Sequence, residues 1–311
     1  MGRFSNPLTY QMGQQPVEAI RQSDDGRLVA HAPAKLNLSL RVGRARPDGY
    51  HPLDSVVAKI TLYDELTFTR RDDGKLNLVC EDVSAGPLED NLVMRAARAL
   101  QQRLIDQPGR LGADIELRKW IPIGAGLGGG SSDAASTLTA LNQLWRLDIP
   151  AEELSAIGAT IGSDVPLFLG PPSAHMTGRG EILRPLPLRP FAAVLVTPPL
   201  HCSTAKVYRA YDMMGPRDIE PTDYALLTER PASQWWAILR NDLFGPACDV
   251  EPGISRWWSY LAQATGRPVH MTGSGSALFI LADDVAHAHY DLDRLGSEVA
   301  LVSQVVAMNP W

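Results

Sequence analysis

Pro122-Ile123-Gly124-Ala125-Gly126-Leu127-Gly128-Gly129-Gly130-Ser131-Ser132, followed at once by Asp133-Ala134-Ala135-Ser136-Thr137-Leu138, places five glycines in eleven residues. Such a run weakens a chain unless something uses it, because glycine loses more conformational freedom on folding than any other residue. What it offers is positive φ and the lack of a Cβ, both needed where backbone amides close on a polyphosphate. Behind the run, Ala134, Leu138, Leu141 and Trp145 recur at helical spacing. The loop is therefore expected to feed an amphipathic helix beginning near Ser131 or Ser132. The free N–H groups and dipole of that helix would point into the loop and favour an anion by roughly 0.3–1 kcal/mol at an exposed site. A phosphate is the natural occupant.

Better-known glycine motifs fit less well. A P-loop requires Gly-Lys followed by Ser or Thr, which this run lacks. A dinucleotide fingerprint can be laid on Gly124, Gly126 and Gly129, with Asp148 near the required distance, but no apolar strand leads into Asp148. A purely structural turn is the remaining alternative. The order of elements is a strand through Ile115-Glu116-Leu117-Arg118-Lys119-Trp120-Ile121, the loop, two serines and a helix. It resembles the ATP loop of the GHMP small-molecule kinases. That resemblance implies that Pro122 to Ser132 wrap the nucleotide triphosphate, that ATP and Mg²⁺ are the cofactors, and that Ser131 or Ser132 serves phosphate or metal. No other metal ligand is assigned. Ala125 departs from the commoner glycine by one methyl group.

Upstream, Ala32-Pro33-Ala34-Lys35-Leu36-Asn37-Leu38 sets a lysine at the threshold of an alternating strand, and Arg46-Pro47-Asp48-Gly49-Tyr50-His51 follows. Alone, each reads as a solvated lysine or an ordinary hydrogen-bonded pair. Together they resemble one GHMP subfamily, the kinases of 4-diphosphocytidyl-2-C-methyl-D-erythritol in non-mevalonate isoprenoid synthesis. The resemblance implies that Lys35 and Asn37 stand beside the acceptor hydroxyl and that Tyr50 and His51 hold a cytosine. A phenol ring can stack on a base and an imidazole can exchange hydrogen bonds with its edge.

Within Ile161-Gly162-Ser163-Asp164-Val165-Pro166, Asp164 reads either as a helix N-cap or, by the same resemblance, as the base that takes the acceptor proton while Lys35 assists. Met271-Thr272-Gly273-Ser274-Gly275-Ser276-Ala277 is a second glycine turn, expected across the cleft from the first or else a tight β-turn. Thr204, in Ser203-Thr204-Ala205-Lys206-Val207-Tyr208, falls where the resemblance implies contact with the methylerythritol phosphate end.

The remaining pattern fits a chain of 311 residues, 45% hydrophobic and 21% charged, long enough for two modest domains. Alternation in Leu36, Leu38, Leu40 and Val42, with two further runs from Val56 to Thr69, predicts a sheet; Leu92, Ala96, Leu100 and Leu104 mark a helix. The proline-rich stretch Arg184 to Pro190 reads as a linker into a strand over Phe191 to Thr197. The expected fold is α+β, the two-domain GHMP kinase fold: a polar extension over 1–26, a ribosomal S5 domain 2-like domain over 27–188 and a ferredoxin-like α/β sandwich over 189–311. Trp235, Trp236, Trp257 and Trp258 read as core or interdomain packing, with surface anchoring as the alternative.

A net charge of −6 argues against a nucleic-acid partner. No apolar stretch approaches the ~18 residues of a membrane span, and the N-terminus lacks an apolar signal core. Cys80, Cys202 and Cys248 lack metal-ligand spacing and suggest inert thiols in a reducing compartment, the cytoplasm. The expected partner is a small-molecule cytidine diphosphate alcohol; oligomeric state is unassigned. The rival readings are a GHMP kinase of mevalonate, homoserine or a sugar, and a non-catalytic RNA-binding protein.

Overall fold

The computed structural model describes residues 18–80, 90–103, 111–215, 218–220, 222–300 and 302–311. In chain order the first half comprises β1 (Ile20–Gln22), β2 (Leu28–Val42), β3 (Leu53–Arg71), β4 (Leu76–Cys80), α1 (Leu92–Gln102), β5 (Gly112–Arg118), α2 (Gly129–Trp145), α3 (Ala151–Ile161), α4 (Val165–Leu169), β6 (Ser173–Gly178) and β7 (Ile182–Pro185). The second half comprises β8 (Ala192–Val196), α5 (Thr204–Met213), α6 (Ala225–Glu229), α7 (Phe244–Val250), α8 (Gly253–Thr265), β9 (His270–Met271), β10 (Leu278–Ala282), α9 (Val285–Asp293), α10 (Ser297–Ala300) and β11 (Ser303–Ala307).

The first sheet runs β1-β2-β3-β5-β4, with β6 also on β3 and β7 on β6. Val56 to Thr69, which reads as two strands, lies in the single 19-residue β3. Its ladder with β2 is irregular at two places: between Pro33 and Ala34, where β3 carries the extra residues Thr61 and Leu62, and between Asn37 and Ser39, where β2 carries the extra Leu38. The early part of β3 pairs with β6 and the late part with β5. Residues 1–17 of the expected extension lie outside the described residues, but Ile20–Gln22 pair antiparallel with Leu28–Ala30. The sheet thus begins before Arg27. Leu104 likewise lies outside the described residues; the rest of its stripe is α1, whose first turn is capped by the Asn91 side chain accepting from the Val93 N–H.

The second sheet runs β11-β8-β10-β9, antiparallel throughout, behind the Leu186–Phe191 passage. Among the described residues, three apolar clusters form the core. One lies between the first sheet and α1 to α4, one joins residues of both halves, and one packs the second sheet against its helices. The middle cluster carries Leu36 and Ile60 from the first half with Phe191 and Phe279 from the second, so β2 is covered on both faces. Its alternating polar residues Lys35, Asn37 and Ser39 are buried; Lys35 and Asn37 line a cavity, and Ser39 Oγ donates to the Arg240 carbonyl. The tryptophan pairs divide: Trp235 is fully buried in the middle cluster, Trp236 is exposed, and Trp257 and Trp258 pack beside the third cluster.

Candidate functional site

Helix α2 begins at Gly129 with Gly128 as its N-cap at φ 74°, two residues before the expected start. Glycine has poor helix propensity, so the sequence pattern puts the start after Gly129 and Gly130. In the structure they form the first turn instead. No side chain caps that turn, leaving amides of the kind that an anion satisfies. The α2 stripe of Ala134, Leu138, Leu141 and Trp145 is buried, which fixes the helix and therefore the direction in which its N-terminus points.

The glycine loop divides two cavities. One, of about 340 Å³, is lined by the loop from Pro122 to Gly124 and from Gly126 to Ser131, together with Asn91, Lys119 and Asp133. The other, of about 580 Å³, is lined by Lys35, Asn37, Tyr50, His51, Asp164, Thr204 and Tyr208 among others. Gly126 and Gly128 line both. Of the eleven loop residues, Ala125 and Ser132 turn away: the Ala125 methyl joins the middle apolar cluster, and Ser132 is fully buried.

The second glycine turn braces the loop from behind. Ala277 N–H donates to Ala125 O at 3.2 Å, Lys35 N–H donates to Leu127 O at 3.0 Å, and Asn37 N–H donates to Thr272 Oγ1 at 2.9 Å. A Cβ on Gly126, at φ +81°, would stand 2.5 Å from the Thr272 carbonyl oxygen. Asn241 Nδ2 donates to Met271 O at 2.8 Å and Gly273 O at 2.9 Å, holding this turn in place.

In the larger cavity, Lys35 donates to Asn37 Oδ1, and Asn37 Nδ2 donates to Ser55 Oγ at 2.9 Å. Burial pushes the Lys35 pKa down, and the nearby Asp164 carboxylate opposes that fall. Asp164 occupies the N-cap position of α4, yet its side chain makes no capping hydrogen bond. The carboxylate therefore lines the cavity uncommitted to the helix. Tyr50 is 55% exposed, with the Arg179 guanidinium 4.9 Å from its ring centroid. His51 Nε2 lies 2.8 Å from Asp212 Oδ1, and its ring is 5.0 Å from that of Tyr208. Thr204 Oγ1 is 2.8 Å from Ser274 Oγ, tying α5 to the second glycine turn. Sequence reasoning missed Tyr208, although it lies one helical turn from Thr204 on α5, a spacing that puts both on one face.

It also missed a buried charge cluster under the loop. Lys119 Nζ bonds Asp64 and, at 2.6 Å, Asp133 Oδ2. Asp64 Oδ1 accepts in addition from the N–H groups of Trp120 at 2.5 Å and Ile121 at 2.8 Å. Burial pushes the Asp133 carboxyl well above the usual carboxylate range, a rise that Lys119 opposes. Pairing sustains such charges, since removing one partner of a buried ion pair typically costs about 3–5 kcal/mol. Two buried oxygens here, Ser132 Oγ and Asp133 Oδ1, have no hydrogen-bond partner. Asp133 also lines the smaller cavity, and a carboxylate oxygen left without a partner beside the uncapped amides of α2 suits Mg²⁺, which takes oxygen ligands and completes its shell with phosphates and water. Among the described residues no group of three or more His, Cys, Asp and Glu could hold a metal, and no helix is long and apolar enough to cross a membrane.

Residues 91–170 match the GHMP kinases N terminal domain. Over 251 residues, covering 80% of the chain and 82% of the relative, the sequence is 44% identical to a 4-diphosphocytidyl-2-C-methyl-D-erythritol kinase of Aromatoleum aromaticum. It is 42% identical to the kinase of the same name from Ralstonia pickettii, over 86% of this chain and 89% of that one. A crystal structure of a 4-(cytidine 5'-diphospho)-2C-methyl-D-erythritol kinase superposes with a TM-score of 0.74 at 36% identity, covering 90% of this chain and 99% of that one.

Proposed function

The chain belongs to the 4-diphosphocytidyl-2-C-methyl-D-erythritol kinases, a branch of the GHMP kinases, and from that membership we propose that it transfers the γ-phosphoryl group of ATP to the 2-hydroxyl of 4-diphosphocytidyl-2-C-methyl-D-erythritol. The observation that carries the assignment of roles is the pair of cavities on either side of one glycine loop, with Lys35 and Asp164 in the larger of them.

ATP lies in the smaller cavity, its phosphates on the loop amides and the N-terminus of α2, its γ-phosphate at the Gly126–Gly128 partition. The acceptor occupies the larger one. Asp164 takes the proton of the 2-hydroxyl as its oxygen bonds to phosphorus, and the bond from phosphorus to the bridging oxygen breaks to release ADP. Lys35 stands near Asp164 and faces the charge that develops on the transferring group. Direct transfer fits, since neither flanking motif supplies a covalent acceptor poised by a second base. Asp133 and Ser131, which line the smaller cavity, would hold Mg²⁺, and the ion would supply neutralisation of phosphate charge. Tyr50 offers a stacking face for the cytosine, with Tyr208 as a second aromatic wall, His51 reads the base edge, and Thr204 meets the methylerythritol end. Three cysteines widely separated in sequence suit a reducing compartment such as the cytoplasm.

The test is ADP release with ATP and Mg²⁺, comparing the diphosphocytidyl alcohol with mevalonate, homoserine and galactose. Release with the cytidine compound alone is expected, and release with another acceptor would overturn the cytosine pocket. Within that assay, Tyr50→Ala and His51→Ala each raise KM for the cytidine substrate, Tyr50→Ala by about 10-fold, since stacking on a base is worth ~1–3 kcal/mol. KM for ATP stays unchanged. Equal KM effects on both substrates would count against the pocket.

A further inference from the structure

Strand β3 places Lys59 directly opposite Lys35 of β2 in the antiparallel ladder. Cross-strand partners project from the same face of a sheet, so one rung carries two ammonium groups on the side facing α2 and α4. They part company there. Lys35 turns to Asn37, whereas Lys59 Nζ donates to the carbonyl oxygens of Phe168 at 3.1 Å and Gly170 at 2.9 Å. Those carbonyls close the C-terminal end of α4, where a cation also meets the negative end of the helix dipole.

Lys59 is 4% exposed, and burial pushes its pKa down to about 8. Burying an ammonium is costly, and the hydrogen bonds that offset the cost go to one short helix. Helix α4 spans five residues, too few to be stable alone because nucleating a helical turn is unfavourable. Val165, Leu167 and Phe168 seat it in the apolar cluster against α2 and α3, and Lys59 adds the polar anchor at its C-terminal end. The residue at its other end is Asp164.

We propose that Lys59 is a positioning residue: by fixing the C-terminal end of α4 to the rung that carries Lys35, it holds Asp164 in reach of Lys35 and of the acceptor hydroxyl. The proposal rests on the reading of Asp164 as the base. A five-residue helix is about 7.5 Å long, so a tilt allowed at one end displaces the other, and a misplacement of about 1 Å can cost ~10²-fold in rate.

The experiment is a double-mutant cycle on the full chain, measuring kcat and both KM values for wild type, Lys59→Met, Asp164→Asn and the double variant, at a temperature where all are folded by circular dichroism. Lys59→Met is expected to lower kcat by about 10- to 100-fold, with both KM values within about twofold. In the Asp164→Asn background it adds less than about twofold, because the group it positions is already gone. Lys59→Arg, which keeps a charged donor, recovers part of the loss. An unchanged kcat for Lys59→Met, or the same fold loss in both backgrounds, overturns the proposal; the second result marks general disruption. Should Lys59→Met not fold, Lys59→Gln enters the cycle under the same criteria. Asp164→Asn alone reports on the base, so near-normal turnover of that single variant identifies failure of the underlying reading separately.

Discussion

Asp164→Asn is expected to cut kcat by at least ~10²-fold while leaving the KM for ATP within a few-fold of wild type, because a positioned base contributes ~10²–10⁴-fold to a proton transfer. The argument is geometric. Asp164 lines the acceptor cavity and not the nucleotide cavity, and its side chain caps no helix, so the amide removes a proton acceptor without removing a structural bond. Steady-state kinetics with the diphosphocytidyl alcohol and a melting curve check the two halves of the statement. Near-wild-type turnover would defeat the assignment of the base. A matching loss of Tm would show that the carboxylate carries structure after all.

Gly126→Ala carries the second large effect. The residue sits at φ +81°, and its new methyl would approach the Thr272 carbonyl oxygen to 2.5 Å and the Gly275 carbonyl oxygen to 3.3 Å. Both obstacles are backbone and belong to the braced turn, so neither swings aside as a side chain would. Backbone strain and overpacking together cost on the order of 3 kcal/mol, which at ~2 °C per kcal/mol for a chain of this size lowers Tm by ~6 °C. KM for ATP rises by more than about 10-fold as the loop is displaced from its amide geometry. Gly130→Ala is the control: its methyl meets only Leu92 Cδ1 at 3.6 Å, with no positive φ, so Tm stays within about a degree. Equal Tm shifts for the two variants would contradict the account.

Local pattern carries far in this chain, and distance limits it. The loop and the buried stripe of α2 announce themselves through glycine spacing and helical period, which act over a few residues. What stays hidden depends on partners far apart in sequence. Lys119 meets Asp64 and Asp133 across separations of 55 and 14 residues, and nothing in the neighbourhood of Asp64 marks it as the acceptor of the Trp120 and Ile121 amides. The Ile20–Gln22 strand is three residues of mixed polarity, too short for any period to register. The alternation in β2 is visible, but alternation ordinarily means one wet face; here the polar face is buried because Asn37 and Lys35 answer to Ser55 and Asp164 rather than to water. Resemblance supplied Lys35, Asp164, Tyr50 and His51 as candidates, and the structure brings them to one cavity, while adding Tyr208, within reach of a helical-spacing argument, and Lys59 and Asn241, through contacts no local reading contains.

The strip of backbone between the two cavities is fastened to the second half of the molecule, where the Ala277 N–H donates to the Ala125 carbonyl. Gly126 and Gly128 lie just beyond that fastening and line both cavities. A shift of the second half against the first would drag this shared wall and reshape two chambers at once, so neither could change size independently of the other.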